Sequence, residues 1–129
     1  MLILGDIGNS ETKIFLVSSS YKIKKNIVIP TNKISNKSLR YKFKFLKNDL
    51  RKIEKILFCS VVPKSFKVIK KFLSFQTKKK CYEIKELNLR SLINIKVNFN
   101  QVGSDRLTNA ISLQNSKDNF IILDFGTAT

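Results

Sequence analysis

The sequence predicts a mixed α/β domain built on a central sheet. Short apolar runs open the chain at the spacing of a strand meander, and later segments alternate between helical and strand periodicity. Apolar residues make up 43% of the chain, which is enough for one domain with a hydrophobic core. A length of 129 residues is too short for two full domains. The opening runs predict strands over residues 1–8, 12–18 and 21–29.

Helices and strands are then predicted in alternation. Apolar residues in steps of three and four predict a helix over residues 39–53, and a buried strand follows over residues 55–62. Pro63 suits the first turn of a second helix. The apolar stripe of this helix consists of Phe66, Ile69, Phe72 and Leu73. Phe75 is also expected to lie in the core. The remaining predictions are strands over residues 81–84 and 93–99, a helix over 104–116 and a last strand over 120–123.

The formal net charge of +16 allows two interpretations. A strongly basic chain can bind nucleic acid or a membrane surface through its lysines and arginines. However, 21 of the 25 basic residues are Lys, and Ile, Asn and Phe are abundant as well, which is the composition of an AT-rich coding sequence. The lysines are also scattered along the chain, with a longest run at residues 78–80 that is expected to be a solvated loop. The distribution therefore does not favour a nucleic-acid partner.

Several classes of protein and of site are excluded or disfavoured. No apolar run approaches the roughly 20 residues of a membrane span, so no membrane partner is expected. The chain has no histidine, which excludes Ser-His and Cys-His catalysis and leaves acid and base chemistry to carboxylates and lysines. Cys59 and Cys81 are expected to be reduced and structural. These observations together predict a soluble cytoplasmic protein.

The turn after the first strand has residue types that suit a phosphate group. Asp6 ends the strand, and Gly8, Asn9 and Ser10 follow it. Backbone N–H groups in such a turn can converge on an anion while the carboxylate holds a metal ion beside it. The same residue types also form ordinary hairpin turns. The chain has neither a G-x-x-x-x-G-K-[ST] loop nor a G-x-G-x-x-G motif, so a nucleotide would have to bind in another way.

The stretch VGSDRLTNA offers a second candidate site. Ser104 can cap a helix whose first turn carries Asp105 and Arg106, and Asn109 follows one turn later. These groups could anchor an anionic substrate and accept a proton, or Asp105 could simply complement the helix dipole with Arg106 as its salt bridge. On the opposite face, Leu107, Ala110 and Ile111 are expected to point into the core.

Two further features concern the organisation of the chain. The stretch CSVVP ends a buried strand with small residues and could form a cleft wall or only a crossover to the next helix. The segment NFIILDFGT begins 118 residues after MLILGDIGN and has the same order of residue types. An internal duplication would explain this repeat, with residues 1–117 as one domain and residues 118–129 as the first strand and turn of a second.

The blocks DIGNSETK, CSVVP, VGSDRLTNA and ILDFGTAT, in this order and at this spacing, resemble the type III pantothenate kinases of the acetate and sugar kinase, Hsp70 and actin superfamily. The resemblance covers only the first half of a typical member. It implies a ribonuclease H-like mixed sheet with flanking helices, the first domain of an actin-like ATPase fold, plus the first strand of the second domain. It also implies a homodimer when the protein is full length.

The resemblance implies roles for individual residues. The first phosphate-binding turn for ATP would consist of Asp6, Ile7, Gly8, Asn9, Ser10, Glu11, Thr12 and Lys13. Asp6 would lie near a divalent Mg²⁺ ion, Asp124 would bind the monovalent cation (K⁺ or NH₄⁺), and Thr127 would contact ATP. The pantothenate site would be lined by Gly103, Ser104, Asp105 and Arg106. Asp105 would be the catalytic base that takes the proton from the substrate hydroxyl.

The implied activity is ATP-dependent phosphorylation of pantothenate to 4'-phosphopantothenate, the first step of coenzyme A biosynthesis, with this chain inactive alone. The alternatives are a non-catalytic binding or regulatory module of the same fold, or a kinase of another small acceptor. The chain departs from the family pattern at four positions: Ser104 replaces Ala, Cys59 replaces Ser, Lys96 replaces Tyr and Phe99 replaces Pro. The acceptor pocket is therefore expected to differ, with Lys96 in reach of the substrate carboxylate.

Overall fold

A computed structural model describes residues 1–46, 49–115 and 118–124 of the chain. Its central element is a five-stranded mixed sheet in the order β3-β2-β1-β4-β5. The strands are β1 (Leu2–Ile7), β2 (Glu11–Val17), β3 (Ile23–Pro30), β4 (Lys55–Ser60) and β5 (Cys81–Glu83). The first three strands form an antiparallel meander, whereas β4 and β5 run parallel to β1. The expected mixed sheet with flanking helices is confirmed.

Three α-helices flank this sheet: α1 (Asn36–Lys42), α2 (Pro63–Thr77) and α3 (Ser104–Ser112). Pro63 is the first residue of α2, as predicted, and the stripe of Phe66, Ile69, Phe72 and Leu73 is buried. Ser35 caps α1 in a capping box with Ser38. None of the helices in the described ranges is long and apolar enough to cross a membrane.

The apolar core is divided between the two faces of the sheet. The larger cluster lies between the sheet and helices α1 and α2, and includes Ile3, Ile7 and Phe58 at its centre. A smaller cluster on the other face joins Leu57 and Cys59 of β4 to Leu107 of α3. Side chains of successive strand residues point to opposite faces, so neighbouring residues of β4 serve both clusters.

The predicted helix over residues 39–53 is wrong in its form. The segment contains the end of α1 and two short 3₁₀ turns, Lys44–Leu46 and Leu50–Lys52. Leu39, Phe43, Leu46 and Ile53 are nevertheless all buried. Since 3₁₀ turns also return a side chain to the same face every three residues, they bury the same stripe without a continuous α-helix.

The predicted strands over residues 93–99 and 120–123 are absent from the described structure. Ile93, Ile95 and Phe99 do pack against the smaller cluster, which explains the alternating pattern, but a strand also needs a neighbour that pairs with its backbone. Residues 120–123 lack such a neighbour in the described ranges and are exposed. Phe75, predicted in the core, is also exposed, and its ring lies 4.6 Å from the ammonium group of Lys78.

The close approach of β1 and β4 gives the first testable prediction. Gly5 is paired with Phe58, whose fully buried ring occupies the space that a Cβ atom on Gly5 would need. We expect Gly5→Ala to lower the free energy of unfolding by about 1–3 kcal/mol, measured by chemical denaturation. Gly5→Ala combined with Phe58→Leu should recover part of this loss, because Leu vacates the overlapping volume. A Gly5→Ala chain as stable as the parent would contradict this packing.

The exposed apolar residues at 120–123 give a second prediction. Phe120, Ile121, Ile122 and Leu123 are 50%, 90%, 44% and 73% exposed. Contiguous exposed apolar side chains favour association, so sedimentation velocity should show concentration-dependent oligomers of this chain. Substitution of Ile121 and Leu123 by Asp should abolish them, whereas the same change at exposed Tyr21 and Ile23 should not. A strictly monomeric parent chain would show that this segment does not self-associate.

Candidate active site

The ends of the parallel strands define one edge of the sheet. In the pairing of β1 with β4, Asp6 lies beside Cys59 and Ile7 beside Ser60. The chain leaving β4 is held at this edge, because the N–H of Val61 donates to the carbonyl of Ile7 at 3.0 Å. In open α/β sheets, ligands bind in the crevice outside the carboxyl ends of the parallel strands. The candidate site therefore lies where β1 and β4 end.

Asp6 is the exposed carboxylate of this edge. The register places it opposite Lys13 of β2 on one side and Cys59 of β4 on the other. Directly paired residues share a face of the sheet, and this is the face on which α3 packs, since Cys59 contacts the cluster that contains Leu107. Asp6 consequently faces the side of the sheet that carries the second predicted motif.

The thiol of Cys59 connects these two motifs. Its Sγ atom lies 3.4 Å from Oδ1 of Asp6 and 3.7 Å from the carbonyl oxygen of Gly5. Burial, the charge of Asp6 and the hydrogen bond to Asp6 together raise the pKa of Cys59 to about 12, and burial is the largest cause. A hydrogen bond with Thr108 acts in the opposite direction, and the charge of Asp105 adds to the rise. Cys59 is therefore a neutral thiol that donates to Asp6, with the α3 side chains close by.

The beginning of α3 differs from the prediction in its capping residue. Gly103, with extended φ and ψ of −62° and 148°, is the N-cap, and its carbonyl accepts the N–H of Leu107 at 3.2 Å. Ser104, predicted as the cap, is instead the first helical residue, and only 3% of its surface is exposed. The absence of a side chain on Gly103 leaves room for the carboxylate of Asp105, which a Cβ atom would overlap.

Asp105 is half-buried, and its orientation is set by a local hydrogen bond. Its Oδ1 atom accepts the backbone N–H of Arg106 at 2.8 Å. Within the described part of the chain, Asp105 and Arg106 form no ion pair, so the predicted salt bridge between them is wrong. Arg106 instead lines a cleft beside α3. The Asp105 carboxylate therefore contacts the backbone of α3, whereas Arg106 lines the cleft.

Asn109 joins the end of the described chain to α3. Its Nδ2 atom donates to Oδ2 of Asp124 at 3.3 Å. Asn109 lies one helical turn after Asp105, so the Asp124 carboxylate is held close to the turn that carries Asp105. Asp124 is exposed, and Thr127, predicted to contact ATP, lies outside the described residues.

An open cleft of about 550 Å³ adjoins α3. Its walls are Leu92, Ile93, Asn94, Ile95, Lys96, Val97, Val102, Arg106, Leu107, Ala110 and Gln114. Most of these side chains are apolar, and Arg106 and Lys96 place two cations at its surface. Ala110, predicted to face the core, lines this cleft and is exposed, whereas Leu107 is buried as predicted. The cleft suits a small, partly apolar anion.

Two residues near the site were not found from the sequence. Thr108 follows Asp105 on α3 by three residues and reaches Cys59, and Thr31 contacts the first turn from the end of β3. An isolated threonine has no sequence signature, so neither contact could be read from the pattern. Within the described residues, no group of three His, Cys, Asp or Glu side chains is arranged to hold a metal ion. Both cysteines are free, as predicted.

Comparison with known proteins identifies the family. The family model described as type III pantothenate kinase matches residues 2–129. A type III pantothenate kinase of Pelagibacter ubique (strain HTCC1062) is 57% identical over 129 residues, and one of Desulforapulum autotrophicum is 30% identical over 135 residues. Both alignments include 100% of this chain and 52% of the relative, so the chain spans about half the length of these curated relatives. Because the family model matches nearly every residue, the chain belongs to the type III pantothenate kinase family.

Proposed function

We propose that this chain supplies the first phosphate turn and the acceptor side of an enzyme that transfers a phosphoryl group from ATP to pantothenate. The product is 4'-phosphopantothenate, formed at the first step of coenzyme A biosynthesis. The observation that carries the proposal is that Cys59 links the two motifs: its Sγ atom lies 3.4 Å from Oδ1 of Asp6, and it packs in the same cluster as Leu107, two residues after Asp105. Two carboxylates from separate elements therefore converge at the edge of the sheet where ligands bind.

The first turn has the form required for a phosphate contact. The N–H of Gly8 donates to the carbonyl of Glu11 at 3.0 Å, which closes a tight turn with exposed Asn9 and Ser10 at its tip. Phosphoryl transfer depends mainly on positioning and on neutralising charge, so a turn of this kind and one base are sufficient protein chemistry on this side. The turn from Asp6 to Lys13 is proposed to hold the phosphates of ATP.

The residues present fit a Mg²⁺ ion held mainly by the nucleotide. Mg²⁺ commonly binds one or two protein carboxylates together with substrate phosphates and keeps several waters. Asp6, one exposed carboxylate beside the turn, matches this pattern better than a three-ligand protein cage would. When bound, the ion would neutralise phosphate charge. Asp124, held by Asn109, is proposed to bind the monovalent cation, K⁺ or NH₄⁺.

The acceptor is proposed to bind in the cleft beside α3. Pantothenate combines a carboxylate with an apolar body, which matches apolar walls that carry Arg106 and Lys96. The acceptor hydroxyl attacks the terminal phosphorus of ATP, the bond from that phosphorus to the bridging oxygen breaks, and ADP leaves. Asp105 is proposed to accept the proton of the attacking hydroxyl. Gly103 and Ser104 contribute to the site by setting the start of α3, because Gly103 leaves the space that Asp105 occupies.

The cellular setting follows from the same proposal. We place the reaction in the cytoplasm and infer a homodimer for the complete enzyme. The scattered lysines give no reason to add a nucleic-acid partner.

The third prediction tests the base. This chain would replace the matching segment of the Pelagibacter ubique relative, and the chimera would be assayed for ATP-dependent phosphorylation of pantothenate. We expect the chimera to be active and Asp105→Asn to lower kcat by about 10²- to 10⁴-fold, because Asn cannot accept the proton. The dissociation constant for ATP, measured by calorimetry, should change little.

A matched control is Asp49→Asn. Asp49 is also an aspartate next to a helical turn, but its partner is Lys52 at 2.7 Å on the surface. This variant should keep the activity of the parent chimera. Equal activity in Asp105→Asn would refute the assignment of the base. A chimera that binds pantothenate but never phosphorylates it would favour a binding module instead.

A further inference from the structure

Thr31 is a buried residue that contacts the turn between β1 and β2 at Gly8 and Ser10. It follows Pro30, the last residue of β3, and begins the 3₁₀ turn Thr31–Lys33. Only 5% of its surface is exposed, and Thr12, which it contacts, is fully buried. Thr31 is 23 residues from Gly8 in the chain, yet it contacts the turn directly.

Three hydrogen bonds link Thr31 to the turn and its flank. The Thr31 hydroxyl donates to the carbonyl of Gly8 at 2.8 Å, and the Thr31 N–H donates to the carbonyl of Ser10 at 2.9 Å. The Oγ1 atoms of Thr31 and Thr12 lie 3.0 Å apart. A hydroxyl has one hydrogen, and that of Thr31 is used at Gly8, so Thr12 is the donor in this pair.

These bonds fix two peptide planes of the turn. A trans peptide is planar, and its N–H points opposite to its carbonyl. The described chain has no cis peptide bonds. Because the Gly8 carbonyl points to Thr31, the N–H of Asn9 points away from it. The Ser10 carbonyl also points to Thr31, so the N–H of Glu11 in the same peptide plane points away from Thr31.

We propose that Thr31 is a positioning residue that orients the N–H of Asn9 towards the phosphates of the nucleotide. This inference rests on the proposed function, since it needs an anion at the turn. The Thr31 hydroxyl controls the Asn9 plane, whereas the Thr31 backbone controls the Glu11 plane. A substitution that removes the Thr31 hydroxyl should therefore change the orientation of the Asn9 plane and leave that of the Glu11 plane unchanged.

The test uses this chain, labelled with ¹⁵N, and the variants Thr31→Val and Thr31→Ser. Val replaces the hydroxyl with a methyl group of similar size, and Ser keeps the hydroxyl but lacks the methyl group. Residual dipolar couplings report the orientation of each N–H bond, and titration with inorganic tripolyphosphate in the presence of Mg²⁺ gives an affinity. In Thr31→Val we expect the Asn9 coupling to change, the Glu11 coupling to stay, and the tripolyphosphate affinity to fall roughly five- to tenfold. Thr31→Ser should match the parent within about twofold.

The control variant is Thr77→Val. Thr77 is a buried threonine whose hydroxyl donates to the carbonyl of Leu73 at 2.7 Å in α2, so its loss removes a comparable hydrogen bond elsewhere. It should lower thermal stability without moving the Asn9 coupling or the affinity. An equal effect of Thr77→Val would reduce the role of Thr31 to general stability and overturn the proposal.

The outcomes separate this inference from the proposed function. If tripolyphosphate does not change the chemical shift of the Asn9 amide in the parent chain, the turn is not a phosphate site. Both the proposed function and the positioning role of Thr31 then fail. If the parent responds and Thr31→Val binds equally well, only the positioning role is overturned. A changed Asn9 coupling together with weaker binding in Thr31→Val, restored in Thr31→Ser, supports it.

Discussion

The parallel pairing of β1 with β4 is the constraint on which the candidate site depends. It places Asp6 beside Cys59 and Gly5 beside Phe58, so one register sets both the site and the packing of the core. A shift of one residue would exchange the two faces of a strand and move Asp6 to the side of α1 and α2. The fully buried Phe58 ring therefore fixes the register that presents the Asp6 carboxylate to α3.

The second half of the site depends on how α3 docks against this edge. Leu107 anchors the helix in the smaller core cluster, and from that anchor Asp105 and Thr108 reach the neighbourhood of Cys59. The part-buried thiol of Cys59 suits this position, because its raised pKa keeps it protonated and leaves its hydrogen for Asp6. Asn109 extends the arrangement to Asp124. Short polar contacts around one anchored helix thus assemble residues that are about 100 positions apart.

Local patterns predicted the parts of the fold that local forces decide. Pro63 and an apolar stripe were sufficient for α2, and the alternation in the first 30 residues was sufficient for the meander. The strand predicted over residues 93–99 failed because its alternation reflects burial against Leu89 and Leu107, not pairing. Asp6 and Asp105 could be named from residue types and from the family resemblance. The packing of α3 beside Cys59, which brings the Asp105 turn towards Asp6, and the contact of Thr31 with Gly8 depend on tertiary structure and have no sequence pattern.

We propose that Asp6 and Asp105 belong to one site that receives a metal-bound nucleotide. The most direct measurement is paramagnetic relaxation enhancement in the ¹⁵N-labelled chain with Mn²⁺ and ATP, because Mn²⁺ broadens amide signals within a limited distance. We expect strong broadening for residues 6–9, for Cys59 and for residues 104–106, with the far end of α2 near Thr77 unaffected. Broadening that follows the surface lysines, or that reaches residues 6–9 without residues 104–106, would contradict it.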